Sequence, residues 1–471
     1  MPKGDKVRKG FFLYVMMLLL FIIAIFLILV VIMIFNPGMN ILGLKYFSAV
    51  QAQRIDSYVD GSGISHDFDL SNRTDIYISG NRIDFGIEVD QNVEKVTLEI
   101  ENYQTGFATS DQSTIFDYTL STGENLSTLR DEIRINFTNP EGFLYFNSHC
   151  YVRILVPESA TFNPLNTLNV SCGAGSINLG NATEEGVAMD INNLSLATTT
   201  GSIQIGVNFD STYTSLAINN ENGSFHTYQQ EMKFVNGGVL ALSGNGSFEF
   251  GDIVPTNDSS SFSIQNNIER GNLSAGKVDA DMALKTINAT INIDTYSGNL
   301  ESNNLVNETD GMNLTIGTAE GEISLPFANN SNITISNAEN CDIFVNSNNA
   351  HINIGNLGST SWIETESGSI DVSLSAQEGN IYLVSETAAI NVTGNQNLNA
   401  NLAVTSISGA VNFDYYQTSR FTVSFFNADG EARENVSVEG YDTISNPMYI
   451  NGGGATTKIS TNGNINLRIA R

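Results

Sequence analysis

The stretch LSLATTTGSIQI, residues 194–205, returns in altered letters as LNVSCGAGSINL from Leu168 and as LTIGTAEGEISL from Leu314. Each copy reads apolar-x-apolar, four small or polar residues, a glycine, one further residue, then apolar-x-apolar. A recurring unit of this kind constrains the fold more than any single element, because a short unit buries its apolar face only against its neighbours. The same pattern fits residues 402–413, and LAINNENGSFHT from Leu216 and INIDTYSGNLES from Ile291 match it except at the last apolar position. Looser copies such as LALSGNGSFEF, IETESGSIDV and EGNIYLV fill the gaps. Glycines 175, 201, 223, 246, 271, 298 and 321 stand 22 to 27 residues apart.

Alternation at period two marks strands, here only four or five residues long. Ile177/Leu179, Ile203/Ile205, Phe248/Phe250, Ile323/Leu325, Ile370/Val372 and Ile381/Leu383 then point inward, with Asn178, Gln204, Glu249, Ser324, Asp371 and Tyr382 between them pointing out. The glycine before the second strand suits a corner that needs either positive φ or close backbone approach. The expected fold is all-β: a parallel β-helix, or β-solenoid, of about 22–25 residues per coil, each strand bonded to its equivalents about 4.8 Å away. About eleven coils over residues 166–413 would make a rod on the order of 50 Å. A run of antiparallel hairpins is the rival topology, with Asn222-Gly223 and Asn245-Gly246 as hairpin-type dipeptides.

Residues 11–35, FFLYVMMLLLFIIAIFLILVVIMIF, carry no charge over 25 positions, enough for a transmembrane helix at about 1.5 Å per residue. A cleaved signal peptide would have a shorter apolar core with a small-residue site close behind it, whereas AVQA ends at Ala52, far downstream. Lys3, Lys6, Arg8 and Lys9 precede the run with only Asp5 against them, so residues 1–10 should be a cytoplasmic tail. The lipid bilayer is thus the expected partner of residues 11–35. The expected localisation is the plasma membrane, single-pass, with the bulk of the chain extracellular. Residues 36–45 read as a connector. Residues 46–165 read as a β-rich opening region, either a sandwich or an irregular start of the solenoid, and 414–471 as a C-terminal β cap.

Net charge is −29 from 50 acidic and 21 basic residues. Setting aside the +3 of residues 1–35 leaves −32 on the remainder, which repels nucleic acid, so no nucleic-acid partner is expected.

The motifs VRILVPESATFNPLNTLNVSCGAGSINLG, GSIQIG, SGSIDV, EGNIYL and the closing TNGNINLRI resemble a bacterial adhesin domain family related to the head GIN domain, over roughly residues 150–471. The resemblance implies a membrane-anchored β-helix and surface binding without naming a ligand; a surface polysaccharide or protein is the expected partner. The family carries no active-site motif to transfer.

No catalytic constellation, cofactor motif or metal-ligand set is readable in the chain, so catalytic, cofactor-binding and metal residues are all expected to be none. Polysaccharide cleavage needs converging carboxylates. Outward Glu249, Glu301 and Asp371 could share one stripe, but several coils apart, and basic residues are scarce between 171 and 411. His66, His149, His226 and His351 stand alone in sequence. Sequons at Asn72, Asn193, Asn288 and Asn391 arise readily in a chain this rich in Asn, Ser and Thr. Cys150 and Cys172, 22 residues apart, are either stacked neighbours able to bridge or ordinary buried residues, and Cys341 is isolated. Trp362, the only tryptophan, is either an exposed sugar-stacking residue or packed in the core or at a corner.

The expected function is a non-enzymatic, membrane-anchored adhesin-like or envelope-binding protein. The alternatives are an envelope-stress or regulatory membrane component acting through a membrane partner, and a carbohydrate-active β-helix enzyme.

Overall fold

The computed structural model describes residues 4–470 except 37–38, 42–43, 56, 60–64, 68–73, 95–96, 110–116, 126–129, 139–144, 157–164, 181–190, 208–211, 287, 303–308, 376–378, 397 and 435. It is predominantly β-structure with one N-terminal helix, Gly4–Phe35. Within that helix residues 10–35 have a mean hydropathy of 3.7, long and apolar enough to cross a membrane. Nearly all of their side chains stand exposed, Phe11 and Phe12 at 70%, while Met33 is buried.

The strands build parallel ladders, which we describe as walls. On the first wall Leu168 in Leu165–Cys172 sits in register with Leu194, which pairs with Leu216, and so on through Leu240, Ile264, Met282, Leu300, Ile323 and Ile343. On the second wall the file runs from Phe85 through Ile177, Ile203, Phe225, Phe248, Leu273, Ile291, Leu314, Ile333, Ile352, Ile370, Ile390 and Val411 to Ile465. A shorter third wall stacks Met232, Ile253, Val278, Tyr296 and Ala319. All these apolar side chains are buried in one continuous core. The six inward pairs named from the sequence lie in it as well.

Successive rungs are separated by 18 to 26 residues, wider than the expected 22–25. The contraction begins at Ile264, whose partner Met282 follows after 18 residues. Glycine spacing concealed it, because the repeating motif spans two different corners. In LSLATTTGSIQI the first apolar pair lies on the first wall and the second pair on the second. In INIDTYSGNLES and LTIGTAEGEISL the order is reversed: Ile291 and Leu314 are on the second wall, Leu300 and Ile323 on the first.

The two corners use glycine for different reasons. At Gly175, Gly201, Gly223 and Gly271 the backbone is ordinary, but a Cβ would lie 1.8, 1.5, 1.7 and 1.9 Å from the carbonyl oxygen of Ile83, Gly175, Gly201 and Gly246 respectively. Close approach of stacked backbones forbids a side chain there. Gly298 and Gly321, at the other corner, also adopt φ of 135° and 98°.

A hydroxyl or amide three residues before the corner pins it. Thr198, Asn220, Thr365, Ser385 and Ser406 accept hydrogen bonds from the N–H groups of Gly201, Gly223, Gly368, Ala388 and Gly409 at 2.8–3.1 Å. Thr198 and Ser406 also donate to the corner carbonyls of the preceding rung, Gly175 and Ala388, at 3.3 and 3.2 Å.

Parallel pairing reaches well upstream of residue 166, and both ends run out of chain order. Thr74–Gly80 pairs in parallel with Leu165–Cys172 on one side and with Arg130–Thr138 on the other. Ile83–Val89 likewise lies between Tyr145–Val156 and Ile177–Leu179. At the other end Ala455–Thr461 slots between Asn401–Ser406 and the earlier Phe421–Phe426. Antiparallel strands flank these outer rungs: Thr97–Thr109 bonds Leu44–Ile55 and Tyr145–Val156, and Asp117–Asn125 bonds Arg130–Thr138. At the N-terminal end the outermost strands therefore end in antiparallel partners in place of open parallel edges.

Gly201→Ala should destabilise the chain by roughly 3 kcal/mol, since the carbonyl of Gly175 leaves no room for a methyl. Gly86→Ala, whose Cβ would meet nothing closer than the flexible Glu88 carboxylate at 3.3 Å, with the Asn178 carbonyl in ordinary contact at 3.8 Å, should change stability by less than about 0.5 kcal/mol. Denaturant unfolding of the two variants checks this, and equal losses would contradict the close-approach account.

Candidate functional site

The inward files are nearly uniform, so chemical variety is confined to the outward ones. Outward positions of the second wall form a polar file. Asn391 donates to Asp371 at 2.6 Å, Asn412 to Asn391 at 2.8 Å and Asn466 to Asn412 at 2.9 Å. Side-chain amides bonded rung to rung extend the ladder of the backbone. This occupies the sequon residue Asn391, and Asn193 donates to the carbonyl of Asn166 at 3.1 Å. Asn288 holds a left-handed φ of 57° at a corner. Asn72 lies outside the described residues.

The carboxylates weighed for catalysis do not converge. Glu249 and Asp371 share the second wall, but six rungs separate them, about 29 Å at the usual strand spacing. Glu301 is on the first wall, between Ala283 and Ser324. His226 Nδ1 lies 3.0 Å from a Glu249 carboxylate oxygen, and its ring meets Tyr228 edge-on at 4.4 Å. His351 Nδ1 is 3.1 Å from the Ser369 hydroxyl. The side chains of His66 and His149 lie outside the described residues. Among the described residues no three His, Cys, Asp or Glu side chains gather as a metal set.

The three cysteines are free and buried. Cys150 pairs in register with Ile83 and Cys172 with Gly80, so the two flank one corner and are not stacked equivalents. Burial pushes the Cys172 and Cys341 thiols up to about 12, and Cys150 is raised by burial and by the nearby Cys172. They stay protonated at neutral pH, which makes them poor nucleophiles.

The first wall is different. Its outward file reads Ala217, Ala241, Gln265, Ala283, Glu301 and Ser324, then Phe344, Trp362 and Tyr382, then Ala403. Small side chains leave a shallow groove of about 270 Å³ beside Gln265, Asp281, Asn299 and Glu301. Three aromatic rings on consecutive rungs follow it. Trp362 and Tyr382 stack with centroids 5.2 Å apart and planes 28° from parallel, within the range of offset-stacked pairs. They are 45% and 40% exposed, which settles the placement of Trp362 on the surface. Its indole N–H donates to Glu364 at 3.0 Å, two residues along the same outward face. On the opposite flank Glu322 and Asp342 are register partners on adjacent rungs, and the Ser359 hydroxyl donates to Asp342.

Sequence reading placed Tyr382 outward and singled out Trp362, but did not bring them together or include Phe344. The available signal was spacing: 18 residues from Phe344 to Trp362 and 20 from Trp362 to Tyr382 are each one rung.

No family model and no curated protein matches this chain.

Because Trp362 is the sole tryptophan, its fluorescence reports this strip alone. Acrylamide should quench the native protein at more than about half the efficiency seen in denaturant, given the exposure. Protection in the native state that vanishes on unfolding would place the indole in the core instead.

Proposed function

We propose that the chain is a single-pass, membrane-anchored surface protein whose strands wind as a parallel β-helix, and that it binds an external ligand without transforming it. The observation that carries the reading is the unbroken file of parallel register partners from Phe85 to Ile465 on the second wall, matched by the first. Stacked hairpins would pair antiparallel, and consecutive antiparallel partners in these strands occur only at the ends. Twelve first-wall rungs from Leu168 to Leu402 would span about 53 Å at 4.8 Å per rung.

The anchor rests on residues 10–35, whose apolar side chains are 6% buried in the most apolar window and so need a bilayer or another apolar cover. The lysines and arginine of residues 3–9 favour a cytoplasmic N-terminus. The strands then face outward, in keeping with the resemblance to bacterial adhesin domains.

Binding is favoured over catalysis by two features. Glu249, Glu301 and Asp371, the carboxylates weighed for glycoside chemistry, are on different walls or about 29 Å apart, whereas glycosidase pairs work within roughly 10 Å. The first wall instead offers an exposed aromatic strip. Such strips on otherwise polar faces mark interaction sites.

Protease applied to intact cells expressing the full chain should degrade the strand region and leave a membrane-bound stub of about 40 residues, with an N-terminal tag protected. Cleavage of the tag from outside, or complete protection of the strands, would contradict the topology. Cells carrying the intact chain should retain a surface polymer that cells carrying Trp362→Ala retain less well.

A further inference from the structure

We propose that the Phe344, Trp362 and Tyr382 strip holds a linear glycan whose sugars carry free, protonated amino groups. The inference rests on the outward display argued above and deepens it by naming the ligand class.

Two independent features specify the occupant. The first is geometry. The rings belong to consecutive rungs, and Trp362 and Tyr382 repeat at 5.2 Å. The result is an open row of one offset-stacked pair with Phe344 on the rung before it, unlike a closed cage that would surround a single ammonium group. Pyranose rings in an extended glycan repeat on a similar length scale and present C–H faces that pack on aromatic rings. Glu364 holds the indole through one carboxylate oxygen, which fixes the ring without consuming the other oxygen.

The second feature is charge complementarity. Between Lys285 and Arg420 the chain has fourteen acidic residues and no lysine or arginine. Glu364 stands beside Trp362 on one side of the strip; on the other Asp342 stands beside Phe344, with Glu322 one rung before it. The nearest cation on this wall is Lys458, two rungs beyond Tyr382 and already set over the Phe426 ring at 4.9 Å. Uronic acids and sulfated sugars are repelled here, and neutral sugars gain stacking alone. An ammonium group gains both a carboxylate partner and attraction to the ring faces. A lysine-rich peptide could use the charge, but it has no rigid C–H face to repeat along the rings.

The test uses the full chain in lipid nanodiscs, titrated with glucosamine oligomers, the matching N-acetylated oligomers, oligolysine and oligogalacturonate, and followed by Trp362 fluorescence and calorimetry. Glucosamine oligomers should bind at least about tenfold more tightly than their N-acetylated counterparts, and more weakly as salt is raised. Trp362→Ala and Glu364→Gln should each weaken binding about tenfold with thermal unfolding unchanged, while Tyr449→Ala, on an exposed tyrosine of the C-terminal region, should leave it unchanged. Equal binding of N-acetylated oligomers would overturn the proposal in favour of neutral stacking. Oligolysine binding as tightly, and insensitively to Trp362→Ala, would overturn it in favour of charge alone. Failure of every probe, in a chain whose strands the protease assay places outside the cell, would overturn the ligand class and leave the surface reading standing. Strands found inside the cell would overturn both.

Discussion

The structure depends on how closely one rung's corner lies against the next. A corner glycine presses its Cα side against the carbonyl of the corner below, at distances where a methyl group has no place. A buried hydroxyl or amide three residues earlier accepts that corner's N–H and, at Thr198 and Ser406, donates to the preceding corner. Chain turning and rung-to-rung adhesion are therefore the same contact. Buried corner amides that would otherwise lack a partner are satisfied. The apolar files then fall into register, because a one-residue slip would turn each inward side chain out. Later along this line Ala350 and Ala388 alternate with Gly368 and Gly409, whose own Cβ positions would lie 1.7 and 1.9 Å from the Ala350 and Ala388 carbonyl oxygens, so there the exclusion falls on every second corner.

A register held this tightly also determines what the surface displays. Outward positions one rung apart become neighbours whatever their separation in sequence. Asp371, Asn391, Asn412 and Asn466 become a hydrogen-bonded amide file, and Trp362 and Tyr382 a stacked pair. The first wall joins a groove around Ala283 to an aromatic strip flanked by carboxylates. In our reading the apolar columns supply rigidity, and the outward files are free to carry recognition. The core tolerates exceptions: Ser361 takes an inward place between Ile343 and Ile381, where its hydroxyl accepts the Ile343 N–H at 3.3 Å.

Strand positions, inward pairs and the membrane-length helix were legible in the sequence because each follows from local periodicity. The corner glycines were legible as corners, but their two kinds were not separable: Gly201 and Gly321 occupy the same place in the same motif, yet one turns from the first wall to the second and the other returns. Only pairing across rungs tells them apart, and confusing them hid the contraction to 18-residue rungs. The ends were illegible for a different reason. A segment such as residues 455–461 has ordinary strand alternation, and nothing local reveals that it slots beneath residues 421–426, which precede it in the chain. The hydroxyl at the corner was readable in principle as a Ser, Thr or Asn three residues before Gly or Ala, a regularity masked by the abundance of these residue types. Trp362 was ambiguous because the strand beginning at Ser361 places a serine inward and the tryptophan outward, the reverse of their polarities.

Register chemistry in the full chain offers the most direct test of parallel stacking. Asn391 and Thr393 lie on one rung, Asn412 and Asp414 on the next, with Asn391 opposite Asn412 and Thr393 opposite Asp414. Cysteine pairs introduced at 391/412 and at 393/414 should both cross-link rapidly under mild oxidation, since partners on adjacent strands lie within disulfide reach. Pairs at 391/414 and 393/412 should remain reduced. Rapid cross-linking of the crossed pairs in place of the direct ones would mean antiparallel hairpins and would contradict the account.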